Sequence, residues 1–271
     1  MNKDAPIGIF DSGIGGLTVA KEIAKILPNE QIIYFGDTAH FPYGDKAAYS
    51  IKHYSALISK FLLEKNCKAI VIACNTASSV ASKPLKKILP IDFPLLNVID
   101  PVAQHIAINN SNDKVGVIAT KGTIGSRIYP KSIKNINENI EVASLATPLL
   151  APMIEEGFFN NTISRTVIAE YLNKKNIKDV EALILGCTHY PLIESEVEEF
   201  YADNNRKVKI INSAKVVAAS VKKALEEKDL LSNKANNSHH FYVSDYTKSF
   251  EKSTKFFFGN ELKLEKMDLW K

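Results

Sequence analysis

Short aliphatic runs recur along the whole chain, at residues 7–10, 31–36, 69–73, 95–99, 115–119, 141–145, 182–185, 208–211 and 240–243. Most are dense in Ile, Val and Leu and lack the apolar–polar alternation of a half-exposed strand. They therefore predict parallel strands covered on both faces. Between them apolar residues fall at helical spacing, as in residues 16–27, 46–65, 78–89, 163–175 and 191–201. Strand and helix in alternation predict an α/β fold with right-handed crossovers. Sheets of this kind bind ligands beyond the carboxyl ends of their strands, so those ends are where chemistry is expected.

Several predicted strand ends share a design. The first run ends in Asp11-Ser12-Gly13-Ile14-Gly15-Gly16, the second in Asp37-Thr38-Ala39-His40-Phe41-Pro42-Tyr43-Gly44, the third in Cys74-Asn75-Thr76. Later runs end in Thr120-Lys121-Gly122-Thr123 and Cys187-Thr188-His189-Tyr190-Pro191. The Cys74 and Cys187 segments look alike: an aliphatic strand, a cysteine, a short polar pair, then a helix. One such element in each half suggests two α/β units with a site between them. The polar stretch over residues 230–240 reads as an exposed loop before a late strand.

Composition narrows the function classes. The chain has 271 residues, 45% hydrophobic and 24% charged, as expected of an ordinary globular protein. A net charge of +4 spread over scattered Lys and Arg gives no footprint for nucleic acid. No apolar run approaches a membrane span, and the opening residues lack the pattern of a signal peptide. The 3 cysteines do not read as a disulfide framework, so free thiols in a reducing cytoplasm are expected.

Cys74 and Cys187 are the principal candidates. At a helix N-terminus the unpaired N–H groups favour a thiolate, and a thiol's ordinary pKa lies close enough to neutrality for acid–base work. Cys67 precedes a strand, has no polar followers, and reads as a buried hydrophobe. His189, beside Cys187, is placed to hold or relay a proton, whereas His40, His53 and His105 read as structural. Neither cysteine shows the paired spacing of a zinc site. The Asp11 segment lacks both the dinucleotide and the phosphate-loop spacings, and an acidic strand tip repels phosphate. Its glycines instead permit close approach of backbone N–H groups to a carboxylate, and Asp11 is suited to an ammonium. Asn75, Thr76, Thr120, Thr123 and Thr188 add neutral hydrogen-bonding groups at strand ends, each of which also fits a helix cap. The sum is a pocket for a small zwitterion. A proton-transfer enzyme, a single-thiol hydrolase or lyase, and a solute-binding module all remain compatible with it.

Four segments resemble one family. They are residues 8–19 (Gly8-Ile9-Phe10-Asp11-Ser12-Gly13-Ile14-Gly15-Gly16-Leu17-Thr18-Val19), residues 34–44, residues 73–78 and residues 185–192. Together, in this order, they are similar to the glutamate racemases of the aspartate/glutamate racemase superfamily. The resemblance implies two pseudo-symmetric α/β domains, 1–98 plus 212–271 and 99–211, with the site between them. It implies interconversion of L- and D-glutamate with no cofactor and no metal, in the cytoplasm, supplying D-glutamate for peptidoglycan. It further implies a homodimer whose ligand is a small molecule, with no nucleic-acid or membrane partner. Cys74 and Cys187 fall on the family's catalytic pair. Asp11, Ser12, Tyr43, Gly44, Asn75, Thr76, Thr188 and His189 fall on its substrate contacts, and Asp37, Thr120, Thr123 and Glu155 on supporting positions. Aspartate racemase stands as the alternative within the superfamily.

Overall fold

A computed structural model describes residues 2–110, 114–234, 238–246, 248–258 and 264–270. Its strands are β1 (Ile7–Asp11), β2 (Ile32–Gly36), β3 (Ala69–Ile72), β4 (Leu95–Asn97), β5 (Lys114–Ala119), β6 (Glu141–Ala146), β7 (Ala182–Leu185), β8 (Lys209–Ile211), β9 (His240–Val243) and β10 (Leu264–Lys266). Its α-helices are α1 (Leu17–Ile26), α2 (Ala48–Glu64), α3 (Asn75–Ile88), α4 (Asp100–Asn109), α5 (Lys121–Ser126), α6 (Ile128–Lys134), α7 (Leu150–Glu155), α8 (Thr162–Leu172), α9 (Glu194–Asp203), α10 (Ser213–Glu227) and α11 (Lys248–Phe258). Two sheets result among the described residues, in the orders β10-β9-β2-β1-β3-β4 and β6-β5-β7-β8. Every strand pair is parallel. The α/β class expected from the alternation is the class observed.

Sandwiching explains the unbroken apolar runs. In β7, Ala182 and Ile184 point into a core shared by the two sheets, while Leu183 and Leu185 point the other way. In β1, Ile7 and Ile9 join that shared core and Phe10 joins the opposite one. Helices α1, α4 and α10 fill the space between the sheets with Leu17, Ile23, Val102, Ile106, Val217 and Val221. Helices α2 and α3 cover the outer face of the first sheet, and α7, α8 and α9 that of the second. Burying a Leu, Ile or Val side chain is worth roughly 1.5–3 kcal/mol, so this three-layered apolar interior fixes both sheets against each other.

Two expected helices differ at their starts. The helix expected from residue 78 begins at Asn75. The one expected over 191–201 is a 3-10 turn, Tyr190–Ile193, running into α9. Pro191 has no N–H to give and sits in that first turn, where none is required. Residues 235–237 of the expected polar loop lie outside the described residues. No helix among the described residues is long and apolar enough to cross a membrane.

Candidate active site

Strand order places the candidates before any side-chain contact does. In the first sheet β2 and β3 lie on opposite sides of β1, and in the second β6 and β7 lie on opposite sides of β5. Each sheet therefore has a switch point where successive crossovers diverge and leave a crevice at the carboxyl ends. Asp11 ends β1 and Cys74 follows β3 across the first crevice. Thr120 follows β5 and Cys187 follows β7 across the second.

Hydrogen bonds join the two crevices into one site. Thr188 Oγ1 donates to Asp11 Oδ1 at 3.4 Å, and Thr18 Oγ1 donates to the Thr188 carbonyl at 2.9 Å. Thr76 Oγ1 lies 2.9 Å from Thr120 Oγ1 and 3.3 Å from Thr123 Oγ1. Ser12 Oγ accepts from the Cys74 thiol at 3.8 Å. Gly44 presses on Thr120, whose Cβ would stand 2.8 Å from any β-carbon added at Gly44. Tyr43 is anchored by donating its hydroxyl to Asp37 Oδ2 at 2.6 Å. The fully buried Asp37 also accepts from Ser244 Oγ at 2.7 Å and meets His40 Nδ1 at 2.9 Å. His40, Ser244 and Tyr43 thus gather around Asp37, which anchors the Tyr43-Gly44 turn. Glu155, on α7, reaches His189 Nε2. The proposed catalytic, substrate-binding and supporting residues all lie at or against these strand ends, whereas Cys67 is packed in the outer core of the first sheet.

The thiols differ from expectation in their surroundings. Cys74 does cap α3, accepting from Ala77 N–H at 3.4 Å. Its pKa is nonetheless pushed far up, first by burial and then by the neighbouring Asp11 carboxylate, with the cap contact opposing. Desolvation outweighs a helix N-terminus here, because one weak N–H contact replaces a full hydration shell. Cys187 has no α-helix starting behind it, only the 3-10 turn from Tyr190. What it has is an imidazole: His189 Nδ1 lies 3.7 Å from Cys187 Sγ. Burial disfavours the imidazolium, but the Glu155 charge and the contacts to Cys187 and Glu155 outweigh it and hold the His189 pKa well above 6.5. Asp11 is raised by burial, with the positive field of His189 and the N–H groups of Gly16 and Gly13 opposing. Those N–H groups bond Asp11 Oδ2 at 2.9 and 3.2 Å, so Asp11 organises the glycine loop and is not the N-cap of α1, which is Gly16. Among the described residues no group of three or more His, Cys, Asp or Glu is placed to hold a metal ion.

Sequence reading missed several partners. Phe41 leans on the His189 ring at 5.7 Å between centroids, and Tyr34 donates to the Gly13 carbonyl at 2.8 Å. Tyr129 donates to Asn75 Oδ1 at 2.7 Å. Phe41 and Tyr34 sit within segments already singled out, which was signal enough. Ser244 and Tyr129 reach the site from distant segments, and no local pattern marks them. A cavity of ≈ 530 Å³ lined by Thr38, Phe41, Pro152, Glu155, Glu156, Lys248 and Lys252 gives an approach along the Glu155 side.

Close packing makes Gly15 a sensitive probe. A β-carbon there would overlap His189 Nδ1 and stand 2.5 Å from Thr188 Oγ1. Gly15→Ala is expected to displace both side chains and cost about 10²-fold in kcat/KM, with the far-ultraviolet circular dichroism unchanged. Activity within twofold of the parent protein would show that those two positions do not matter.

Known proteins share this chain's sequence and fold. The chain is 42% identical over 257 residues to a glutamate racemase of Geobacter metallireducens, covering 94% of this chain and 93% of that one. Its fold is similar to that of the crystal structure of glutamate racemase from Francisella tularensis in complex with D-glutamate, with a TM-score of 0.90, 39% identity and 99% of each chain covered. The RacE1 glutamate racemase isoform of Bacillus anthracis gives a TM-score of 0.90 at 34% identity, again over 99% of both chains. The family model for Asp/Glu/hydantoin racemases matches residues 7–221, the span that carries both cysteine-bearing strand ends. With a family match over most of its length and 42% identity to a glutamate racemase over nearly all of it, this chain belongs to the Asp/Glu/hydantoin racemase family.

Proposed function

We propose that this protein racemises glutamate by proton transfer between its own side chains, with Cys74 and Cys187 as the two acid–base groups. The observation that carries the reading is the placement of two buried cysteines at the switch points of two facing sheets, joined through Asp11, Thr188 and His189. The Francisella relative was crystallised with D-glutamate, which supports the five-carbon substrate over the shorter aspartate.

Inversion requires access to both faces of the α-carbon. A thiolate on one face takes the α-proton, leaving a carbanion, and the thiol on the other face delivers its proton. The first sulfur ends protonated and the second ionised, so each turnover leaves the pair reversed. Cys74 acts on D-glutamate and Cys187 on L-glutamate. The two halves, 1–98 with 212–271 and 99–211, each bring one thiol.

The site's electrostatics give each thiol its own route to ionisation. Asp11 raises the Cys74 pKa by its negative charge. A substrate ammonium placed against Asp11 cancels that field, so substrate itself eases ionisation of Cys74. Cys187 is served by the His189 imidazole, which Glu155 keeps cationic. Donors from Ser12, Asn75, Thr76 and Thr188, with the backbone of Tyr43 and Gly44, bind the carboxylates, and Asp37, Thr120 and Thr123 hold these groups in place. Donors aimed at the α-carboxylate stabilise charge that moves onto it in the carbanion, the largest contribution such a site can make. Three free cysteines suit a reducing cytoplasm, where the product would enter peptidoglycan synthesis, and a homodimer is the working assembly.

The deciding experiment is circular dichroism of purified protein with D- or L-glutamate and no added cofactor. Both solutions should converge on zero ellipticity. A signal that stays constant refutes the proposal, and faster decay with aspartate transfers it to the shorter substrate.

A further inference from the structure

We propose that Tyr129 is a positioning residue of this site: its hydroxyl holds the carbonyl side of the Asn75 amide, so that the amide NH2 is the donor offered to the substrate carboxylate. The inference rests on the racemase reading and extends it to a residue outside every motif that identified the site.

Three observations carry it. Asn75 is 2% exposed, directly after Cys74, and opens α3. Its Oδ1 accepts from Tyr129 at 2.7 Å, while its Nδ2 is buried with no hydrogen-bond partner among the described residues. A buried donor left without an acceptor is costly, and native interiors rarely keep one unless something else is bound there. A substrate carboxylate is an acceptor that fits this lone NH2, beside the hydroxyls of Thr76 and Ser12 and the Cys74 thiol.

Tyr129 is 2% exposed, and burial pushes its hydroxyl pKa above 10.0, against a contact with Ser213. It therefore keeps a proton to give, and in this arrangement it gives that proton to Asn75 Oδ1. With Oδ1 so engaged, Nδ2 is turned the other way.

The fold explains how a residue of α6 reaches α3. Arg127, at φ 54, turns the chain between α5 and α6. That reversal lets Thr123 face Thr76 from one helix while Tyr129 faces Asn75 from the next. The second sheet's helices thus set two consecutive side chains behind the first sheet's cysteine. The orientation of Asn75 then depends on the two halves being docked.

A mutant cycle tests this in the full-length protein, with thermal melts confirming that each variant folds. Tyr129→Phe removes the hydroxyl alone and is expected to lower kcat/KM about tenfold, chiefly through KM, the scale of one hydrogen bond. Asn75→Ala should cost more, roughly 10²-fold. The double variant should match Asn75→Ala, because Tyr129 acts through Asn75. Losses that multiply, or a Tyr129→Phe enzyme with unchanged KM, overturn the proposal. The Asn75 side-chain NH2 signals in 15N NMR read the positioning without any turnover. They should move on Tyr129→Phe, and an unmoved pair refutes the contact even if glutamate proves not to be the substrate. Absence of racemisation by the parent protein would instead strike the racemase reading, so the two failures are distinguishable.

Discussion

Replacing either Cys74 or Cys187 by serine is expected to lower kcat/KM for glutamate racemisation by roughly 10³-fold, in both directions at once. Serine preserves the shape of the site, but a hydroxyl is far harder to ionise than a thiol. Loss in both directions follows from thermodynamics. Two enantiomers have equal free energy, so kcat/KM must be the same starting from either one, and no variant can spare one direction. What can differ is exchange. In deuterated water Cys187→Ser keeps the thiol that acts on D-glutamate, so any deuterium it incorporates should appear in D-glutamate and not in L-glutamate. Cys74→Ser should show the mirror image. A single-thiol hydrolase or lyase makes the opposite forecast, since one of its cysteines is dispensable. Near-normal turnover by either variant would refute the two-thiol account.

How much of this was legible beforehand depends on distance along the chain. The ends of β3 and β7 carry strand, cysteine and polar pair in a few consecutive residues, so spacing alone singled them out. The parallel arrangement was also legible, because strands sandwiched between cores lose the alternation that exposure imposes, as Leu183 and Ile184 illustrate. Strand β10, Leu264–Lys266, left no such mark: it is an edge strand of three residues, two of them charged. Tyr129 and Ser244 act across long separations, and nothing local ties them to Asn75 or Asp37. The pKa expected for Cys74 failed for a related reason. A helix start can be read from neighbours, whereas the burial of Cys74 beside Asp11 exists only once the sheets are assembled. Desolvation is a property of the whole fold, and it proved the larger effect.

The same property makes Asp11 the residue where activity and stability should part. Asp11→Asn is expected to reduce kcat/KM by about 10²-fold or more, because the substrate ammonium loses its counter-charge, a loss that outweighs the easier ionisation of Cys74 once the Asp11 charge is gone. Yet the variant should be more stable than its parent. Asparagine keeps an oxygen for the N–H groups of Gly13 and Gly16 and can turn its NH2 to Thr188 Oγ1, so no contact is orphaned. What disappears is a carboxylate held in a site that disfavours its charge. The folded pKa of Asp11 is raised above its ordinary 3.8, chiefly by burial, so its favourable contribution is complete below that value and is lost as pH rises through the raised one. The titration of His189 has the same sign, but both proteins share it and it largely cancels between them. The stability gain of Asp11→Asn should therefore be absent at acidic pH and grow toward neutrality, reaching a melting-temperature increase on the order of 2–4 °C. Melting curves of both proteins across that range decide the matter. A variant less stable than its parent at neutral pH would mean that Asp11 is ionised at no cost to the fold, and that the site holds its charge by contacts stronger than the two glycine N–H bonds and the field of His189.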